Sequence, residues 1–537
     1  MNSSKKRARA ALAAVGIFAC AAVAAAANDD QLWPSAGHDR VNSHNQAQET
    51  HINAGNAAKL GVKWMFQTGG DVWATPSVDE DSVYFPDAAG NLYSLNRRTG
   101  AQRWSTQISQ YTHVPGDISR TTPLIVGNKL IVGDQGGRKF AGATLMAVNK
   151  QTGALLWSTK LESQSTAVIT QSAIAQGNTI YVGVSSQEEL FAAVVPGYKC
   201  CSFRGSMLAL DANTGAILWK TYMISDAAAL AGYSGAAVWG STPVIDPKRG
   251  SVYIATGNNY TVPSAVLSCQ TLTTPEAVKA CVDAAPGSSD NHFDAIVSLD
   301  LRSGAIKWAH SMIPYDAWNV ACVFSVQGNE GNCAQPAGPD YDFGQGPTLF
   351  SVKIKGKDGR RELLGAGQKS GIYWAVDPED GSVVWNTQVG PGGSLGGLEW
   401  GSAMDGTRIY TAVGNNYGIP WTLPSGAVVN AGFWSALDPA TGAILWQTPG
   451  TPAVSTSNMG PVTVANGVVF AGTVDAAGTM YALDAASGAT LWTFASGGSV
   501  NSGAAVVDGV VYWGSGYGVS GIGITPNNKF YAFEVKP

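Results

Sequence analysis

Seven copies of one short pattern constrain this chain more than anything else in it. The segments YSLNRRTGAQRW, MAVNKQTGALLW, LALDANTGAILW, VSLDLRSGAIKW, WAVDPEDGSVVW, SALDPATGAILW and YALDAASGATLW end at Trp104, Trp157, Trp219, Trp308, Trp385, Trp446 and Trp492. Each reads as a strand, a tight turn of Asp/Asn, Thr/Ser and Gly, and a second strand. Glycine supplies the positive φ of the turn, the polar side chains satisfy its amides, and a flat Trp at a fixed offset can pack between neighbouring units. Runs such as TPSVDEDSVYFPD and TPVIDPKRGSVYIATG, lying between the copies, read as a second hairpin, so each unit carries the four strands of a propeller blade.

Two incomplete units remain. LGVKWMFQTG puts Trp64 on the last strand of a blade, and KFYAFEVKP is the matching preceding strand with no turn after it. Joined, they complete an eighth blade and remove the open edges of the ring. The expected fold is all-β: one eight-bladed β-propeller over residues 28–537. The Trp-to-Trp intervals are 40, 53, 62, 89, 77, 61 and 46 residues, so the excess chain falls at 158–219, 220–308 and 309–385. Insertions in repeat arrays map to one face, often the binding face.

The first 27 residues read as a cleaved secretion signal: Lys5, Lys6, Arg7 and Arg9, a short Ala-rich apolar run, then small residues up to Ala27. The run is too short for a membrane span, and Phe18 before Ala19 makes Cys20 a poor lipid-anchoring site. Without that segment the chain has 29 Lys+Arg against 38 Asp+Glu, a net charge of −9. Such a balance offers no basic stripe for nucleic acid and favours a basic partner. Six cysteines remain, all within the long intervals, and an even number in an exported chain points to disulfides. Sequence order suggests 200–201, 269–281 and 322–333, among fifteen possible connectivities. No Cys-x-x-Cys-His is present, so the chain carries no c-type haem of its own.

The repeated turn resembles that of the pyrroloquinoline quinone (PQQ) dehydrogenases. The blocks WPSAGHDR, ISRTTPLIVGNKLIVGDQ, YVGVSSQEEL, PGYKCCSFRGSMLALDANTG, DYDFGQGPTLF and GAGQKSGIYWAVDP are similar to the polyvinyl alcohol dehydrogenases among them. The resemblance covers essentially all of residues 28–537 and implies PQQ and Ca2+ as cofactors. Cofactor-free propellers share the turn, so the blocks between the turns carry the specificity.

The resemblance also implies roles for particular residues. Calcium ligands correspond to Glu188, in Gly183-x-Ser185-x-x-Glu188, and Asn258, in Thr256-Gly257-Asn258, while Glu189 and the second Gly414-Asn415-Asn416 leave each position with an alternative. Oxygen donors of this kind suit a hard cation. Trp239 corresponds to the residue beneath the planar cofactor, Arg120 and Lys369 to its cationic contacts, and Thr170 and Ser185 to its hydroxyl donors. The catalytic base, which also ligates the metal, corresponds to Asp342 in DYDFG, 27 residues before Lys369. Asp316 in YDAWN is the alternative, although Asn319 stands after Trp318 where the family has its acid. Lanthanide-using relatives carry a second Asp where Gly344 stands, so calcium is expected. The Cys200–Cys201 ring corresponds to one that lies over the quinone, although in this chain it sits in a different insertion.

These implications add up to a periplasmic dehydrogenase that oxidises secondary alcohol groups, those of polyvinyl alcohol, to ketones, and passes electrons to a separate soluble cytochrome c. The alternatives are a quinoprotein for another alcohol and a cofactor-free scaffold of envelope assembly.

Overall fold

The same contact joins every blade to the next. In a computed structural model that describes residues 32–136, 140–353, 359–450, 458–519 and 524–537, eight indole N–H groups each donate to a backbone carbonyl of the following blade at 2.8–3.3 Å. The donors begin with Trp64 on Arg97 and end with Trp492 on Leu60, which closes the circle. The turn glycine is required twice over. Gly215 has φ +71°, and a Cβ there would lie 2.5 Å from the Trp157 ring. The expected secretion signal, residues 1–27, lies outside the described residues.

Eight sheets, each built on a four-stranded antiparallel meander, make the ring, and two of them carry a fifth short strand. Blades 1 to 7 span residues 77–107, 124–162, 174–222, 244–311, 348–388, 403–449 and 463–495. Blade 8 takes three strands from Ala505–Val507, Val510–Gly514 and Lys529–Val535, and its fourth from Leu60–Gln67, with Trp64 opposite Ala532. The expected closure by strands from opposite ends of the repeat array is therefore present.

A second closure runs along the axis. Residues 33–46 pass once around the centre and touch the first strand of each blade in turn. Backbone hydrogen bonds of 2.8–3.0 Å tie this segment to Val78, Ile125, Ile245, Leu349, Met404 and Val464. Arg40 reaches Gln176 of blade 3 and Gln46 reaches the Val506 carbonyl of blade 8.

In a four-stranded meander, the loop before the first strand and the loop after the second emerge on the same face. All the long insertions use these two loops. They include helices Glu188–Val194, Asp226–Ala231, Ser264–Cys269 and Pro275–Asp283, and the stretch 312–347. Disulfides Cys200–Cys201, Cys269–Cys281 and Cys322–Cys333 staple them, as sequence order suggested. Among the described residues no helix is long and apolar enough to cross a membrane.

Candidate functional site

The same two loop positions supply the walls of a cleft on that face, with about 770 Å3 of empty space out to its mouth. This size suits a small ligand or cofactor. Of the residues expected from sequence, Arg120, Thr170, Ser185, Trp239, Asp342 and Lys369 all line it. They come from the loops of the consecutive blades 2 to 5 and converge on one cleft.

Asp342 is the hub. Its Oδ1 accepts the Asn258 backbone N–H at 2.6 Å, and its Oδ2 accepts the Trp239 indole N–H at 2.9 Å and the Lys369 ammonium at 3.4 Å. Gly257 makes this possible, since a Cβ there would fall 2.9–3.0 Å from the carboxylate. Lys369 also donates to Asp340 Oδ1 at 2.9 Å and lies 5.3 Å from the centre of the Trp239 ring. Burial works against its charge, but Asp340, Asp342, Glu399 and Glu189 outweigh burial and hold the ammonium well above the usual lysine range.

Asp316 is placed differently. Its oxygens accept the backbone N–H groups of Asp340 at 3.1 Å and Tyr341 at 2.6 Å, so it braces the loop that carries Asp342 and is not among the cleft-lining residues. Asn258 donates its side-chain amide to the Trp318 carbonyl at 2.8 Å, which leaves Oδ1 buried and without a hydrogen-bond partner among the described residues. Asn415, in the competing motif, spends its side chain on Ile419 in its own loop.

The two adjacent acids separate. Glu189 lines the cleft, and its carboxyl is pushed up to about 7 by burial, with Asp342 adding to the shift and Lys369 opposing it. Glu188, the residue expected as a metal ligand, does not line the cleft. Its oxygens are taken by the N–H groups of Ser202 and Phe203 and by the Tyr198 hydroxyl. Both residues begin the helix Glu188–Val194, where successive side chains point about 100° apart, so one faces the cleft and the other the loop.

Cys200 and Cys201 are likewise not among the lining residues. They pack with Cys322 and Cys333 around Ala192, Ala193 and Ala321, beside the cleft wall.

Sequence reasoning missed Glu399, Trp400, Tyr260, Gln135 and Tyr517, all of which line the cleft. The Glu399 carboxyl is raised to about 7 by burial, with Lys369 opposing and Asp342 adding. Trp400 lies edge-on to Trp239, ring centres 5.2 Å apart, and the Arg120 guanidinium stacks over it at 4.2 Å. The only warning in the sequence is an acid beside a Trp within a glycine-rich loop.

A ring of Trp-locked blades around a cleft of buried acids and one lysine places the chain among the Trp-docking propellers, and it belongs to the family described as outer membrane protein assembly factor BamB, whose profile matches residues 21–310 and 430–535. Within that breadth its relatives include polyvinylalcohol dehydrogenases and quinoprotein alcohol dehydrogenases, as the sequence blocks suggested. The chain is 30% identical over 441 residues to polyvinylalcohol dehydrogenase of Pseudomonas sp, covering 79% of this chain and 62% of that protein. With the enzyme of the same name from Sphingopyxis sp. (strain 113P3) it shares 30% over 449 residues, 79% of this chain and 61% of that one. The chain thus spans a little over three fifths of these curated relatives. The crystal structure of quinohemoprotein alcohol dehydrogenase from Comamonas testosteroni superposes with a TM-score of 0.68 at 20% identity, over 94% of this chain and 80% of that one. A europium-containing methanol dehydrogenase gives 0.66 at 17%, over 94% and 98%. These two structural likenesses bear on the fold alone.

Proposed function

We propose that this chain is a PQQ- and calcium-dependent dehydrogenase of secondary alcohol groups, acting on polyvinyl alcohol in the periplasm with a separate soluble cytochrome c as acceptor. The observation that carries this reading is the convergence of Asp342, Lys369 and Trp239 in one cleft beside the unpartnered Asn258 Oδ1.

The donors fit a hard cation. Carboxylates at Glu189 and Asp342 and the amide oxygen of Asn258 would hold calcium. Among the described residues no three His, Cys, Asp or Glu side chains are grouped for a metal, so two carboxylates and one amide are the protein donors proposed here. Gly344 argues against a further acid: a Cβ there would lie 2.8 Å from Trp239 Cη2. Trp239 and Trp400 give the cleft flat walls, while Arg120, Lys369, Thr170 and Ser185 present cationic and hydroxyl groups to the carboxylates and carbonyls of a planar quinone.

When bound, PQQ supplies a two-electron acceptor and calcium polarises the carbonyl that receives the hydride. The protein does the rest. Asp342 accepts three donors, one of them the ammonium of Lys369, and is oriented to take the hydroxyl proton of the alcohol as its carbinol hydrogen departs.

The family description favours a second reading, an assembly scaffold. A scaffold gains nothing from ionisable groups buried in a cleft, which cost stability unless they bind something. Mixing the apoprotein with PQQ and calcium, then assaying polymeric and small secondary alcohols with a dye and with cytochrome c as acceptors, separates the two. No quinone spectrum would end the enzyme reading. Turnover of small alcohols alone would end the polymer assignment.

A further inference from the structure

Two adjacent acids at the head of one helix have different surroundings, and the difference assigns a task to the one outside the cleft. Glu188 is only 1% exposed. Ser202 N–H lies 3.0 Å from each of its oxygens, Phe203 N–H 2.7 Å from Oε2 and Tyr198 O–H 2.7 Å from Oε1. The Ser202 hydroxyl at 3.3 Å and the Gln164 amide at 3.4 Å complete the set. A carboxylate has about four lone-pair positions, so these donors saturate it. Nothing remains for a cation.

The donors all belong to, or lean on, the loop that carries Cys200–Cys201. The opposite side of that loop is held by neutral amides of the Cys322–Cys333 loop: Asn329 Oδ1 accepts from Gly197 N–H at 2.9 Å, and Asn332 Oδ1 from Cys200 N–H at 3.2 Å. Phe203, fixed by Glu188, stacks on Tyr260 with ring centres 6.2 Å apart, and Tyr260 lines the cleft. The path from carboxylate to cleft wall is thus continuous: Glu188, Phe203, Tyr260.

We propose that Glu188 is a positioning residue that clamps the Cys200–Cys201 loop and the Tyr260 wall behind it, leaving Glu189 as the acid that faces the cation. This rests on the calcium reading given above, and the test keeps the two apart. Glu188→Ala, Glu188→Gln and Glu189→Gln are made in the full chain, and calcium binding to the apoprotein is followed by calorimetry. Amide exchange over residues 198–203 and PQQ affinity by absorbance are followed alongside.

In Glu189→Gln, calcium affinity should fall about tenfold or more through loss of ligand charge, with loop exchange unchanged. In Glu188→Ala, exchange at Ser202 and Phe203 should rise at least about tenfold and PQQ affinity should fall, while calcium affinity stays within about threefold of wild type. Glu188→Gln keeps an acceptor oxygen and should lie between. Loss of calcium binding in Glu188→Ala with loop exchange unchanged would overturn the assignment. If Glu189→Gln binds calcium normally while Glu188→Ala still frees the loop, the cation site lies elsewhere and the clamp stands.

Discussion

Asp342 Oδ1 receives the backbone N–H of Asn258 at 2.6 Å, a contact between residues 84 positions apart on neighbouring blades. It sets the carboxylate against the bare Cα of Gly257 and beside the free amide oxygen of Asn258. The proposed proton acceptor and a candidate cation ligand are therefore fixed to each other by backbone.

Asp342→Asn keeps the shape but removes proton acceptance. Turnover of the reconstituted protein should drop by about 10²–10⁴-fold while the quinone spectrum remains. Asp316→Asn gives up part of the brace on the Asp340–Tyr341 backbone, so it should lower stability by about 1–2 kcal/mol and change turnover less than the first substitution. Steady-state kinetics with denaturant titration of both variants decide the matter. A reversed ranking would make Asp316 the base.

Gly344→Asp introduces a Cβ that meets Trp239 Cη2 at 2.8 Å and backbone and Cβ atoms of Glu399 at 3.4 Å. Trp239 must move, so PQQ affinity should fall, and lanthanide ions should not restore it. Absorbance titrations with calcium and with a lanthanide check this. Restoration by the lanthanide would show that the cleft tolerates a further acid.

The carboxyls of Asp134, Glu189, Asp316 and Glu399 are all raised to about 7, in each case chiefly by burial. Their unfolded value is about 4. A raised group favours the folded state fully below its unfolded pKa, and this advantage disappears as pH rises through the folded value. The apoprotein should therefore melt at a higher temperature at pH 5.5 than at pH 8. Calcium with PQQ should narrow the gap by stabilising ionised Glu189. An apoprotein more stable at pH 8 would contradict the burial of these groups.

Gly215→Ala strains a residue at φ +71° and pushes a methyl to within 2.5 Å of the Trp157 ring. A loss of about 1–3 kcal/mol should appear in denaturant unfolding, with little change in PQQ affinity because the turn lies away from the cleft.

The blades were legible because every turn residue has a local reason to be what it is. Gly215 must adopt positive φ, Asp211 caps the turn amides of Asn213 and Thr214, and Trp219 faces the next unit. Asp342 and Lys369 could be placed from the blocks that carry them, DYDFGQGPTLF and GAGQKSGIYWAVDP. Glu189 could not be separated from Glu188, because the choice depends on the angular phase at which a short helix leaves its strand. Glu399 and Trp400 sit in a loop whose shape is decided by blades on either side. The axial segment was also invisible: WPSAGHDRVNSHNQ has no strand alternation, and its hydrogen bonds go to partners scattered over the whole chain.

That segment changes how the molecule must come into being. Residues 33–46 are synthesised before any blade, yet Gln46 finds its partner 460 positions later, and the strand at Leu60–Gln67 waits for Lys529–Val535. Neither seal can form until the rest of the ring exists. Pairing of such distant residues is entropically slow, and half-made propellers expose strand edges to one another. The two seals can thus close only after the blades between them are present, and the proposed cation ligands, drawn from blades 3, 4 and 5, lie on the circle that these seals complete.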